Sequence, residues 1–381
     1  MRTIAVVTGT RAEYGYLKPL MQAIQHEPGL RLLPLITGMH LLPQCGSTHK
    51  IVKKDFPSAK TIVMNYNGDQ LKHMAEYLAS GIINFSSFFD KKRPDILVIL
   101  GDRSESFAAA LSAVYLNIPI AHINGGDVTG TTIDESIRHA ITKLSHIHLV
   151  HSKENAQRVE KMGEDKKRIF VTGALTLDTI LHTRFPLKQV LFKRYHLNPN
   201  KTTFLVVQHP LTTLKDRGVS QLKETLRALD ALQEQTVLLY PNCDAGGRQF
   251  ITMIQAAEKK SYLHAFQNMP HEDYLGLMKS VDLMIGNSSS GIIEAPSFKL
   301  PVINIGSRQQ GRTRSANILD IPAEKNKITQ TIDFALHNKA YQEKVRTCKN
   351  LFGNGTAAQK IIKILKEIQL DETIIQKQIT Y

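Results

Sequence analysis

The stretch His122-Ile123-Asn124-Gly125-Gly126-Asp127 continues through Asp134-Glu135 to Arg138-His139 and gathers carboxylates and imidazoles in one short segment. Ile137, Ala140, Ile141 and Leu144 follow i, i+3, i+4, i+7, which predicts an amphipathic helix opening at Asp134. On that helix Asp134 stands one turn from Arg138, and Glu135 one turn from His139. Acids in a first turn are also favoured simply by the helix dipole. A fourth acid, Asp102, follows the separate apolar run Ile96–Leu100 in Gly101-Asp102-Arg103-Ser104, where it could equally cap the next helix. Carboxylates that meet at one sheet edge shift each other's pKa values and can divide acid and base work. Asp102, Asp127, Asp134 and Glu135 are therefore candidate proton-transfer groups.

Three further loops follow apolar runs. Thr8-Gly9-Thr10-Arg11-Ala12-Glu13 allows a tight turn, and Arg11 offers a planar fork to a phosphate. Ile285-Gly286-Asn287-Ser288-Ser289-Ser290-Gly291 places small hydroxyl residues at a predicted helix start, where N–H groups and the dipole suit a diphosphate. Glu294, one turn later, could accept hydrogen bonds from ribose hydroxyls. In Val206-Val207-Gln208-His209-Pro210, His209 follows a strand and titrates near neutrality. There is no G-x-G-x-x-G fingerprint and no Walker lysine, which argues against a dinucleotide and against ATP hydrolysis.

The elements that must position these loops alternate. Ile4–Thr8, Leu32–Ile36, Ile96–Leu100, Ile118–Ile123, Ile147–Val150 and Ile169–Thr172 read as strands buried on both faces, with helices such as Ser104–Leu116 between them. A polar stretch over 182–202 separates them from a second series, Phe204–Val207, Val237–Tyr240, Val281–Ile285 and Val302–Ile305. The expected organisation is an α/β chain of two Rossmann-like domains with a cleft between them: 1–181, a linker at 182–202, then 203–356, and a C-terminal helix and tail at 357–381. A length of 381 residues suits two cores. The net charge of +14 raises nucleic acid as a ligand, but the basic residues are scattered and no stacking stripe accompanies them, so anionic small molecules fit better. No run approaches the roughly 20 apolar residues of a membrane span. The three cysteines form neither a disulfide nor a zinc pattern, and the start Met1-Arg2-Thr3-Ile4 leaves no room for a signal peptide. The expectation is a cytoplasmic protein without nucleic-acid or membrane partners.

Taken together, Thr8–Tyr14, Pro94–Arg103, Ile133–Ser145, Gln208–Thr213, Pro241–Gly246, Ile285–Gly291 and Pro301–Arg312 resemble the hydrolysing UDP-N-acetylglucosamine 2-epimerases of sialic-acid-type pathways. The run Ile133-Asp134-Glu135-Ser136-Ile137-Arg138-His139 is the most specific of these. The resemblance implies a GT-B-like pair of domains, UDP held mainly by the second, no metal or nicotinamide cofactor, and a homodimer or homotetramer. It implies cleavage of UDP-N-acetylglucosamine by water to N-acetylmannosamine and UDP, through a 2-acetamidoglucal. Carried over residue by residue, its catalytic groups fall on Asp102, Asp134, Glu135 and His209. Its nucleotide contacts fall on Arg11, Arg103, Ser288, Ser289 and Glu294. Arg138, Asn242 and Arg312, inside matching stretches, join the substrate-binding set. Asp127 stands where relatives often carry glutamate. A 2,4-diacetamido-6-deoxy sugar, a glycosyltransferase of the same architecture, a non-hydrolysing epimerase and a non-catalytic sensor are the competing readings.

Overall fold

The structure is a computed structural model that describes every residue except 69, 130–132, 212–215, 217, 242–246, 268 and 381. The first half runs β1 (Arg2–Thr8), α1 (Arg11–His26), β2 (Leu30–Ile36), α2 (His49–Asp55), β3 (Lys60–Thr61), α3 (Leu71–Lys92) and β4 (Ile96–Leu100). It continues with α4 (Ser104–Tyr115), β5 (Ile120–Ile123), α5 (Ile133–Leu144), β6 (Ile147–Val150), α6 (Lys153–Lys161), β7 (Ile169–Val171) and α7 (Leu175–His182). These strands form a parallel sheet in the order β3-β2-β1-β4-β5-β6-β7.

Residues of β1 and β4 alternate between two cores, which is why the strands read as continuous apolar runs. Ile4, Val6, Ile96 and Val98 join one cluster with Leu17, Leu20 and Ile24 of α1, whereas Ala5, Val7, Leu97 and Ile99 join another with Phe85, Phe89 and the alanines of α4. Thr10 caps α1 by accepting from Glu13 N–H at 3.2 Å. The expected strand Ile118–Ile123 begins only at Ile120; the preceding Pro119 has no N–H to give a ladder.

The second half runs α8 (Lys188–Arg194), β8 (Thr203–Val207), α9 (Val219–Leu232), β9 (Gln235–Leu239), α10 (Gly247–Ala257), β10 (Leu263–Phe266), α11 (His271–Met278) and β11 (Leu283–Gly286). After α12 (Ser290–Ile293) come β12 (Val302–Ile305), β13 (Ile318–Ile321), α13 (Lys325–His337), α14 (Lys339–Thr347), α15 (Ala357–Glu367) and α16 (Glu372–Ile375). Its parallel sheet has the order β10-β9-β8-β11-β12-β13. The α/β class with two parallel sheets is thus present. The strands absent from the sequence reading, β3, β10 and β13, are all edge strands: β3 is exposed, and β10 and β13 are only partly buried and each interrupted by a polar residue.

The chain divides into two compact units, Met1–Asp127 with Asp134–Leu181 and Phe352–Tyr381, and Val128–Ile133 with His182–Leu351. In the stretch 182–202, Arg194 pairs with Asp273 of α11 at 2.6 Å and Tyr195 OH donates to the same carboxylate at 2.5 Å. The C-terminal helix α15 belongs to the first unit, where Ile361 and Leu365 share the core of α1. Among the described residues no helix is long and apolar enough to cross a membrane.

The tail also closes a buried ion cluster. Glu164, 1% exposed, meets Lys143 Nζ at 2.5 Å, His148 Nε2 at 2.9 Å and Lys377 Nζ at 2.7 Å. Burial alone would raise its carboxyl, but hydrogen bonds from His148, Lys143 and Lys377 overcome that and hold it at about 2. A folded value below the unfolded one means that the stabilisation is full above the unfolded value and is lost as pH falls through the folded one. Glu164→Gln is expected to cost roughly 3 kcal/mol at neutral pH. The difference from wild type should close as pH falls from 4.5 to about 2. Urea denaturation across that range checks it, and a pH-independent difference would reject the ion cluster as the cause.

Candidate active site

Each sheet reverses its strand order once, between β1 and β4 in the first unit and between β8 and β11 in the second. Loops leaving the carboxyl ends of two strands at such a reversal diverge, and ligands bind there. The loops singled out from the sequence leave these strands and the adjoining β5.

In the first unit Asp102 follows β4 and Arg138 projects from α5, and their carboxylate and guanidinium form an ion pair. Arg138 is 2% exposed; its Nη1 also lies 3.4 Å from Glu135 Oε2 and donates to the Asp127 carbonyl at 3.2 Å. One buried guanidinium thus gathers Asp102, Glu135 and the backbone of Asp127. The side chain of Asp127 is itself buried, and Asp134 is half-buried in the first turn of α5. Glu135 Oε1 lies 3.0 Å from His139 Nε2, the expected one-turn pair. Asp134 and Arg138 stand one turn apart on α5 as expected, and Arg138 also reaches Asp102, in a different βα unit.

His122 serves the scaffold. Its ring is fully buried, with Nε2 2.7 Å from the Gly101 carbonyl and Nδ1 3.2 Å from Thr142 Oγ1. Burial pushes it down to about 3, so it is neutral and Nε2 donates. That bond fixes the peptide before Asp102, where Gly101 takes φ +73°, a conformation suited to glycine. Arg11 begins α1, and Arg103 Nε donates to Glu105 Oε2 at 3.2 Å.

In the second unit His209 follows β8. Asn287, 1% exposed after β11, holds it from both sides: Oδ1 accepts from His209 N–H at 2.7 Å and Nδ2 donates to its carbonyl at 2.9 Å. The Asn287 carbonyl in turn accepts from Arg308 at 3.1 Å and Gln309 at 2.8 Å. Sequence reasoning passed over Asn287, although an amide between a strand-ending glycine and a serine run was a visible signal. Ser288 Oγ lies 2.9 Å from Ser290 Oγ, which is 2.5 Å from Tyr274 OH. The helix that follows, α12, is a single turn. The dipole expected at Ser288 and Ser289 is small in so short a helix, and the hydroxyls and backbone N–H groups are the main donors.

Glu294 is buried, and after burial its charge is the next largest influence raising the Tyr274 phenol. Arg312 is buried with Nε donating to the Val128 carbonyl at 2.7 Å. Asn242 lies outside the described residues. Among the described residues no group of three or more His, Cys, Asp or Glu side chains is arranged to hold a metal ion.

A sequence model of the family described as UDP-N-acetylglucosamine 2-epimerase matches residues 22–366. The UDP-N,N'-diacetylbacillosamine 2-epimerase (hydrolyzing) of Legionella pneumophila is 35% identical over 378 residues, 99% of each chain. The GDP/UDP-N,N'-diacetylbacillosamine 2-epimerase (hydrolyzing) of Campylobacter jejuni is 37% identical over 380 residues, 99% of this chain and 98% of that one. In fold, the chain is similar to the crystal structure of UDP-GlcNAc 2-epimerase from Neisseria meningitidis bound to UDP-GlcNAc, with a TM-score of 0.80 and 18% identity over 97% and 100% of the two chains.

Proposed function

The chain belongs to the UDP-N-acetylglucosamine 2-epimerase family, and on that premise we propose that it is a hydrolysing 2-epimerase of a UDP-linked 2-acetamido sugar. We infer further that the sugar is a 2,4-diacetamido-6-deoxy sugar, that of UDP-N,N'-diacetylbacillosamine, rather than N-acetylglucosamine. The observation that carries this choice is the whole-length similarity to two hydrolysing enzymes of that substrate. UDP-N-acetylglucosamine, the first expectation from sequence, is the second reading, supported by the description of the family model. The proposal extends to a cytoplasmic homodimer or homotetramer working in sialic-acid-type sugar biosynthesis.

The residues suit the chemistry. The C2 proton of such a sugar is weakly acidic, so departure of the anomeric diphosphate leads. Arg11, Arg103, Ser288 and Ser289 are assigned to the departing charge, a well-placed donor being worth about 10²–10³ in rate. A carboxylate of the Asp102, Asp127, Asp134, Glu135 group takes the C2 proton and leaves a 2-acetamidoglucal and UDP. Water then adds at C1, while C2 is protonated from the opposite face. Inversion needs proton-transfer groups on both sides of the ring, so one carboxylate does not suffice. His209 is assigned to the phosphate or water side.

The test is product analysis in deuterium oxide, without any acceptor sugar, on UDP-N,N'-diacetylbacillosamine and UDP-N-acetylglucosamine in parallel. Free UDP and a free 2-epimer deuterated at C2 are expected, with kcat/KM at least about tenfold higher for the diacetamido substrate, the scale of one pocket contact. A product that keeps its UDP, or one without deuterium, would reject hydrolytic epimerisation. Preference for UDP-N-acetylglucosamine would overturn only the choice of sugar.

A further inference from the structure

The turns that follow β1, β2 and β4 converge on a side chain with no part in the reaction above. Glu105 is 1% exposed; Oε1 accepts from Tyr77 OH at 2.8 Å and Oε2 from Arg103 Nε at 3.2 Å. Gly9 and Gly38 press on it so closely that a Cβ on Gly9 would lie 2.9 Å from Glu105 Cγ, and one on Gly38 2.5 Å from the same atom. Both oxygens of Glu105 thus have donors. Glu13 differs. It is 4% exposed, its Oε2 accepts from Gly9 N–H at 2.6 Å, and its Oε1 is buried with no hydrogen-bond partner among the described residues. A buried oxygen without a donor, near a second carboxylate, favours the protonated acid.

We propose that Glu13 and Glu105 are positioning residues of the nucleotide site: their buried side chains fix the Gly9–Arg11 turn and the Arg103 guanidinium for a diphosphate. The proposal rests on the reading that this chain binds a UDP-sugar through Arg11 and Arg103. Burial foremost, with the charge of Glu105 adding to it, pushes Glu13 up to about 7. Among the described residues, the other titratable or charged groups around the pair include Arg103, Tyr77 of α3, Cys45, and His40 of the segment after β2. Burial drives His40 down to about 4, and its ring bridges Thr8 Oγ1 at 3.0 Å and Thr48 Oγ1 at 2.7 Å, so it stays neutral over the working range. Ionising Glu13 strengthens its hydrogen bond from Gly9 N–H but sets a second negative charge beside Glu105, where it competes for Arg103 and opposes a diphosphate.

UDP binding to the 381-residue protein, measured by calorimetry from about pH 6 to about pH 8.5, and steady-state UDP release for KM and kcat test this on wild type, E13Q, E105Q and Y77F, with thermal melts as a check of folding. Wild-type affinity is expected to fall severalfold as pH rises through 7. E13Q cannot ionise, should lose that fall, and should bind UDP more tightly than wild type at the alkaline end. E105Q should raise KM about tenfold, the loss of one charge-assisted hydrogen bond, with a smaller change in kcat. Y77F should raise KM less. Superimposable wild-type and E13Q profiles, or wild-type KM in both E105Q and Y77F, overturn the proposal; if E105Q does not fold, E13Q and Y77F decide. A wild-type protein that binds no UDP at any pH overturns the functional reading instead.

Discussion

Replacing Arg138 with methionine is expected to remove most turnover and to destabilise the first unit by about 3–5 kcal/mol, the usual consequence of leaving a buried ion pair half-made. Arg138 is 2% exposed, whereas the carboxylates it gathers, Asp102 and Glu135, are 21% and 25% exposed. The acids can therefore face substrate while the cation that holds them cannot. Methionine keeps much of the volume, so the loss reports on charge and hydrogen bonding more than on a cavity. Without the guanidinium the carboxylates repel, one of them is driven toward protonation, and the base needed at C2 is weakened. The expected readings are a Tm lower on the order of 10 °C and UDP release slowed by at least about 10²-fold. Arg138→Lys should recover part of the stability and less of the rate, since an ammonium cannot fork between two carboxylates and a carbonyl. Wild-type kcat in Arg138→Met would show that the cluster has no part in the reaction.

The buried strands were legible because each lies in a sheet covered on both faces, and continuous apolar runs are the direct result. The loops after β1, β4, β5, β8 and β11 were legible for a related reason: polar, glycine-bearing turns after such runs mark the carboxyl edge of a sheet. What the chain order hides is pairing across that edge. Arg138 and Asp102 lie in different βα units, and helical periodicity can only offer Arg138 its own one-turn neighbours. The clamp of Asn287 on His209 and the meeting of Gly9, Gly38 and Glu105 arise in the same way, from strands adjacent in space and distant in sequence. In the sequence Glu13 is just the last residue of the loop after β1, and only its burial and unpartnered oxygen set it apart. The sugar is a different matter. Motifs shared by enzymes of both candidate sugars describe the diphosphate and the proton chemistry, which the two substrates have in common.

Asp102→Asn separates the two halves of that chemistry. Asparagine is nearly isosteric, and its Oδ1 can still accept from Arg138, whose charge remains balanced by Glu135. The fold and KM should change little. The base is lost, however, and kcat should fall by about 10²–10⁴, the usual contribution of a positioned proton-transfer group. The position of Asp102 supports an effect of that size. It follows a fully buried strand, and the peptide before it is pinned by His122 at 2.7 Å, so the carboxylate is presented from rigid backbone. The intermediate then tells which step it serves. If Asp102 takes the C2 proton, the variant should release neither UDP nor deuterated sugar. If it protonates C2 in the second step, UDP should appear in a burst and the 2-acetamidoglucal should accumulate. Wild-type rates of both UDP release and deuterium incorporation would remove Asp102 from the mechanism and leave the remaining acids on α5 and the β5–α5 loop to supply the base.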